Sequence, residues 1–274
     1  MEQSLQEGII RPHRGRGEPS IPADVLMVMP PFELRHLARR ISAEPVAFAD
    51  SDLFRLYLPK EGPLGACALS GPFLGAPHAV MGLEKLIALG AQRIWAFGWC
   101  GSLSAAARIG DLLIPTRAYP EEGTSRHYPL DGLDLVPDAG LTAGLQKGLE
   151  SAGLPYRRGA VWTTDAPYRE TPVKVRYWQE QGALAVEMEA SALMAVSLFR
   201  GVRMCALFVV SDELFECRWR PGFRDPLLKK RSRAAAEALL DFVISVAKDQ
   251  GRRPRGSRPG DGLEHLSGEA VDCE

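Results

Sequence analysis

Three carboxylates stand where the pattern of the chain expects strands to end. Glu187 and Glu189 flank Met188 in Val186-Glu187-Met188-Glu189-Ala190-Ser191, and Asp212 follows Ser211 after the apolar run 204–210. An ionised carboxylate accepts hydrogen bonds from two adjacent hydroxyls, so a glutamate pair at this spacing suits a sugar diol. The same pair would also sit well at a helix N-terminus, where the dipole favours negative charge. An aspartate closing an apolar strand is either a cap or turn residue, or an acid kept protonated by its surroundings and able to donate. The segment Gly98-Trp99-Cys100-Gly101 allows close backbone approach or simply a tight turn. Cys100 offers a nucleophile, although burial as a small apolar side chain is the commoner fate of a free cysteine.

Other chemistries lack their residues. There is no GxGxxG dinucleotide fingerprint, no GxxxxGK[ST] phosphate loop and no GxSxG elbow. Five histidines (13, 36, 78, 127, 265) are scattered, with no CxxC or HxH pair. Neither a metal nor an organic cofactor is expected.

The elements that must hold these residues follow from apolar patterning. Val25–Met29, Ala66–Leu69, Arg93–Phe97, Asp111–Ile114, Val161–Thr164, Leu184–Val186 and Met204–Val210 read as short strands. Between them, apolar residues recur at helical spacing at Leu34, Leu37, Ala38 and Ile41, at Ala79, Leu83, Leu86 and Ile87, and at Leu141, Leu145 and Leu149. A long closing helix carries Ala235, Ala238, Leu239, Phe242, Val243 and Val246 on its stripe. Apolar strands interleaved with amphipathic helices imply an α/β fold with a mostly parallel sheet covered on both faces. Ligands of such sheets bind beyond the carboxyl ends of the strands, where the carboxylates above lie.

Composition narrows the partners. The chain has 274 residues, 46% hydrophobic and 24% charged, with 33 basic and 34 acidic side chains for a formal charge of −1. That balance argues against phosphate-neutralising nucleic-acid binding. No apolar run approaches the ~18–20 residues of a membrane span, and nothing near Met1 resembles a secretion signal. Five cysteines without regular spacing do not form a disulfide framework. The expectation is a soluble cytoplasmic protein with one catalytic domain over residues 22–249. An N-terminal arm covers 1–21, and a disordered tail rich in Arg, Gly and Pro covers 250–274.

Taken in order along the chain, these segments resemble the nucleoside phosphorylase and nucleosidase family. Val186-Glu187-Met188-Glu189-Ala190-Ser191 is similar to its ribose-binding segment. Gly159 to Tyr168 (GAVWTTDAPY) is similar to its base-binding segment, Val210-Ser211-Asp212 to the Ser-Asp pair of purine-cleaving members, and Ile109 to Pro115 to a structural Gly-Asp strand. Pro12-His13 resembles an N-terminal pair whose histidine reaches into a neighbour's site. The resemblance implies a three-layer α/β/α fold, a dimer or hexamer, and cleavage of the N-glycosidic bond of a ribonucleoside. It assigns Glu187, Met188, Glu189 and His13 to the ribose, Tyr168 and Ser211 to the base, and acid catalysis to Asp212, with purines favoured.

Departures fall on the nucleophile side. Phosphate-using members carry a glycine N–H and an arginine after the first strand; here Arg35 survives but Pro31 offers no N–H. Ala96 and Trp99 stand where the family has an arginine and a Ser or Thr, and Asp52 aligns with an arginine given by the adjacent subunit, with Arg55 close by. Losing two cationic forks removes much of what balances a phosphate dianion. Glu33 aligns with the glutamate that activates water in nucleosidases. The expected acceptor is therefore water, ahead of phosphate held by Arg35, Gly98, Trp99 and Cys100. A non-catalytic nucleoside binder and a uridine phosphorylase-like enzyme are the alternatives, and which of Arg218, Arg220 and Arg224 assists Asp212 stays open.

Overall fold

Alternate residues of the first strand face two different cores. In β1 (Asp24–Val28), Val25 and Met27 join one buried cluster, and Leu26 and Val28 join another. The computed structural model describes residues 8–46, 53–59, 67–130 and 132–251; the expected tail lies outside the described residues from 252 onward, as does Asp52. On the Leu26 side lie α1 (Pro31–Arg40), α3 (Ala139–Ser151) and the long α6 (Pro226–Gly251); on the Val25 side lie α2 (Ala76–Leu89) and α5 (Ala190–Arg200). A smaller helix, α4 (Pro172–Glu180), brings Val175 and Trp178 onto a third cluster around Trp162, Val186 and Leu214. The apolar stripes expected for α1, α2, α3 and α6 face the core, with Ile87, Ala238, Phe242 and Val246 only partly buried.

The remaining strands are β2 (Ala43–Val46), β3 (Arg55–Pro59), β4 (Cys67–Gly71), β5 (Arg93–Ser102), β6 (Leu112–Pro120), β7 (Tyr156–Thr163), β8 (Ala183–Glu187), β9 (Arg203–Glu213) and β10 (Arg220–Pro221). They lie in the order β10-β9-β6-β7-β8-β5-β1-β4-β3-β2, with β9 also pairing β5. Strands β5, β8, β7, β6 and β9 thus close on themselves while β1 to β4 extend as an open wing.

The expected mostly parallel sheet needs correction. Pairs β1–β4, β1–β5, β5–β9, β6–β7 and β7–β8 are parallel, but β2–β3, β3–β4, β5–β8, β6–β9 and β9–β10 are antiparallel. A continuous apolar run reports that both faces of a strand are covered; it carries no information on the neighbour's direction. Within the closed ring, β8 meets β5 and β6 meets β9 in the opposite sense.

Strand β5 also runs past the expected turn at Gly98 and ends at Ser102. Its register against β9 slips after Cys100: Cys100 faces Val210, whereas Gly101 faces Asp212, leaving Ser211 as the extra residue of a bulge. That slip turns the end of β9 toward the ring's mouth.

Candidate active site

One cavity of about 870 Å³ opens at these strand ends. Its wall includes Cys100 and Gly101 from β5, Glu187 from β8, Met188 and Glu189 from the turn into α5, and Ser211 and Asp212 from β9. Pro31 and Phe32 at the start of α1, the 167–170 turn, His78 of α2, and Trp219 and Phe223 complete much of the rest. Most of that surface is apolar or aromatic, so the few carboxylates in it are conspicuous.

Asp212 is held at both oxygens. Ser211 Oγ lies 2.6 Å from Oδ1, and the indole N–H of Trp219 donates to Oδ2 at 2.9 Å. Burial raises its pKa, while these two donors oppose the rise. Ser211 Oγ also lies 3.2 Å from the Cys100 carbonyl. A hydroxyl has one hydrogen, so Ser211 donates to that carbonyl when Asp212 is protonated and to Asp212 when it is ionised. Burial thus favours the acid form of Asp212, while two donors are placed to meet its carboxylate form. Gly101 lets it sit there: a Cβ at Gly101 would lie 3.2 Å from Asp212 Oδ2 and 2.5 Å from Leu214 Cδ1.

The glutamate pair divides its work. Glu187 takes a hydrogen bond from Thr163 Oγ1 and caps α5, accepting from the N–H groups of Glu189 (2.8 Å) and Ala190 (2.7 Å) on Oε2. The helix-terminus reading of this residue is thus realised in the cavity wall itself. Glu189 accepts from the Gly75 N–H at 2.6 Å on Oε1. Gly75 adopts φ +78°, in the left-handed region that suits glycine, at the point where its N–H meets this carboxylate. Burial pushes Glu187 up to about 7; burial and then the neighbouring Glu187 push Glu189 up to about 8. Two buried carboxyls this close share their titration.

Several expected site residues lie elsewhere. Glu33 is buried under α6, where Ser232 Oγ donates to its Oε1 at 2.8 Å and the indole of Trp99 donates to Ser232 at 2.9 Å. It is absent from the cavity wall and holds Trp99 from behind, so the water-activating position implied by resemblance is not where it sits. Arg35 is exposed, its guanidinium 4.9 Å from the Phe32 ring centroid and outside the cavity. Gly98 is set by packing, since a Cβ there would lie 3.0 Å from the Phe208 ring, and no ligand approach explains it. Cys100 lines the cavity, but burial first, then Asp212 and Glu187, drive its thiol well above the ordinary range, which leaves it un-ionised and poor as a nucleophile. His13 is exposed on the N-terminal arm, away from this chain's own cavity. Tyr168 lines the cavity rim and is fully exposed.

Other wall residues were not anticipated. Trp219, rather than an arginine, supports Asp212; Arg220 is paired with Glu216 instead. His78 accepts from the Leu74 N–H on Nδ1 and contacts the Leu53 carbonyl through Nε2, which fits a neutral ring with its proton on Nε2. Glu170 also faces the cavity. The order Tyr168-Arg169-Glu170 carries no local signal for it, because its place depends on the fold of the 167–170 turn. Among the described residues no group of three or more His, Cys, Asp or Glu is placed to hold a metal, and no helix is long and apolar enough to cross a membrane.

An α/β scaffold whose strand ends gather a buried carboxyl pair and a separate supported acid in one cavity defines the class. The chain belongs to the phosphorylase superfamily, whose sequence model matches residues 25–248. It is 28% identical over 173 residues to a guanosine phosphorylase of Halorubrum lacusprofundi, covering 63% of this chain and 72% of that one. Its fold matches purine nucleoside phosphorylase from Toxoplasma gondii with a TM-score of 0.74 at 19% identity, over 89% of this chain and 99% of the other. It also matches AMP nucleosidase from Bacteroides thetaiotaomicron with a TM-score of 0.67 at 21% identity, over 84% and 90% of the two chains. The resemblance drawn from the motifs to nucleoside phosphorylases and nucleosidases holds.

Proposed function

We propose that the chain cleaves the N-glycosidic bond of a purine ribonucleoside. The observation that carries this reading is the placement of Asp212 and the Glu187–Glu189 pair on one cavity wall. Glu189, steadied by Gly75 on one oxygen, offers the other to the ribose hydroxyls; Glu187 fixes the turn that presents it. Met188 supplies apolar surface to the sugar, and Tyr168 aromatic surface to the base. As the C1′–N bond lengthens, its electron pair moves onto the base, and Asp212 delivers its proton to a purine ring nitrogen. Ser211 and Trp219 then both donate to the carboxylate left behind. A purine is favoured because it keeps a basic ring nitrogen outside the glycosidic position.

Water is the acceptor that fits the wall best. Among the described residues, no lysine or arginine lines the cavity. Pro31 lacks an N–H, and Trp99 occupies the stretch of β5 where phosphate donors would stand. A bare dianion there would meet neither cation nor N–H cluster. The second reading, phosphate, is supported by the similarity to a guanosine phosphorylase. It needs cations brought by an adjacent copy, and a dimer or hexamer in which the exposed arm bearing His13 reaches a neighbour's cavity would bring that residue too.

The experiment is release of free base from inosine, guanosine, adenosine, uridine and methylthioadenosine, with and without phosphate. Release from purine nucleosides in phosphate-free buffer is expected. Strict phosphate dependence would replace water by phosphate, release from uridine alone would transfer the reading to pyrimidines, and no release from any would leave a non-catalytic binder.

A further inference from the structure

Four buried side chains connect the active-site cavity to a second one. Glu187 lines the first; Glu122 lines the second, a space of about 640 Å³ beside α5 that also meets Ser125 and Ala195. Between them, Ser191 Oγ donates to Glu122 Oε1 at 2.8 Å, the Ser191 N–H donates to Thr163 Oγ1 at 3.0 Å, and Thr163 donates to Glu187 Oε1. Thr163 accepts from that N–H, so its one hydroxyl hydrogen is left for Glu187. Glu122 has no part in the reaction above. Its oxygens are met, among the described residues, by O–H and N–H donors: Ser191, and the backbone of Thr124 and of Ser125 (3.0 Å). A carboxylate buried without a cation is costly, and an apolar side chain would fill its place more cheaply. What a fully satisfied buried network does supply is a fixed geometry for the groups tied to it.

We propose that Glu122 is a positioning residue for the ribose-binding carboxyls: it anchors Ser191, and through Ser191 the first turn of α5, so that Glu187 and Glu189 are held in place against the sugar. This rests on the reading of Glu187 and Glu189 as the ribose pair. Two acids tie down the same turn. Glu187 does so from the active-site cavity, through the N–H groups of Glu189 and Ala190, and Glu122 does so from the second cavity, through the side chain of Ser191. Glu189 itself is tied only at Oε1, by Gly75, so the place of its other oxygen depends on the backbone that leads into α5. The negative charge of Glu122 also helps to raise the pKa of Glu187, so the two acids feel each other across Thr163 and Ser191. A ribose contact displaced by about 1 Å can cost about 10²-fold in rate, which is the leverage a support of this kind has.

The test measures kcat/KM for the best-cleaved nucleoside of the panel above and for its 2′-deoxy form. It uses wild type, Glu122→Ala, Glu122→Gln and Ser191→Ala, and also Glu122→Ala combined with Glu189→Gln. Wild type is expected to favour the riboside by about 10²-fold. Glu122→Ala and Ser191→Ala should each cut that preference about tenfold, because the ribose contacts slacken and the deoxy form has fewer of them to lose. Glu122→Gln, whose amide still bonds Ser191, should keep the preference within about threefold of wild type. On top of Glu189→Gln, Glu122→Ala should lower riboside kcat/KM by less than about threefold, since the group through which it acts is already gone. Equal losses on riboside and 2′-deoxyriboside, or an undiminished loss in the Glu189→Gln background, would make Glu122 a folding residue alone and overturn the proposal. If wild type cleaves no nucleoside, the cleavage reading fails by itself, and amide hydrogen exchange decides this one without a ligand. Glu122→Ala should then speed exchange at 189–191 by about tenfold or more with the β1 amides unchanged; equal protection in the two proteins ends it.

Discussion

Trp219 reaches back from the short arm beyond β9 to donate its indole N–H to Asp212 at 2.9 Å, although the ring itself is largely exposed. The acid is therefore tuned by a side chain seven residues on, which also lines the cavity. Because this donor favours the ionised form, its removal lets burial raise Asp212 further. A general acid works only while protonated, so activity is lost as pH rises through its pKa. Trp219→Phe should shift the alkaline limb of kcat/KM to higher pH and lower the plateau, since the carboxylate product loses a donor. A limb that stays in place in a pH–rate profile would detach Trp219 from the acid.

Asp212→Asn removes the proton but keeps shape and much of the hydrogen bonding to Ser211. Loss of general acid catalysis at a purine should cost about 10²–10⁴ in kcat. Binding, measured as KM or by calorimetry with a non-cleavable analogue, should change by less than about fivefold. Equal losses in binding and turnover would make Asp212 a binding residue alone.

The Glu187–Glu189 pair links function to pH-dependent stability. Both carboxyls are raised by burial, to about 7 and about 8, above their ordinary value of 4.5. Between 4.5 and those values the folded state holds more protons than the unfolded chain, so stability falls as pH rises through that window. Glu189→Gln removes one member of the pair while keeping an acceptor for Gly75. Its melting temperature above pH 8 should exceed wild type by about 2–6 °C, with a flatter dependence from pH 5 to 8. The same variant should lose its preference for ribosides over 2′-deoxyribosides. A variant that melts in parallel with wild type at every pH would show that the pair carries no such penalty.

Much of the scaffold was legible because its signals are local. The stripe Leu34, Leu37, Ala38 and Ile41 is the buried face of α1 together with its C-cap, and the run at 204–210 is the buried centre of β9. Strand direction was not legible, because apolar runs report burial and ring closure is a property of distant pairings. Strand β5 was cut short at Phe97 since Gly98 and Gly101 look like a turn; they instead make room for Phe208, Leu214 and Asp212. The site divides the same way. Glu187, Met188, Glu189, Ser211 and Asp212 flank strand ends and meet in the cavity. Glu33 and Arg35 were placed by alignment with a helix start, and which face of α1 they occupy follows from the packing of α6, two hundred residues away. Glu170 and Trp219 sit in turns whose course has no periodic signature.

That packing gives the last expectation its content. Glu33 Oε1 accepts from Ser232, Ser232 accepts from Trp99, and Glu33 Oε2 is buried with no partner among the described residues. The single hydroxyl hydrogen of Ser232 is committed to Glu33, which leaves its lone pair facing the indole N–H and fixes the ring at the acceptor end of the cavity. Ser232→Ala strands both neighbours at once and should cost about 1–3 kcal/mol in denaturant unfolding. Glu33→Met with Ser232→Ala removes the buried acid as well as the hydroxyl and should recover part of that loss, giving a coupling of about 1 kcal/mol or more in a double-mutant cycle. Since Glu33 stands behind Trp99 and not before it, Glu33→Gln should slow base release by about tenfold at most, against the 10²–10⁴ expected of a group that activates the acceptor. A loss of the larger size, with stability unchanged, would put Glu33 back among the reacting groups and require α1 to turn during the reaction.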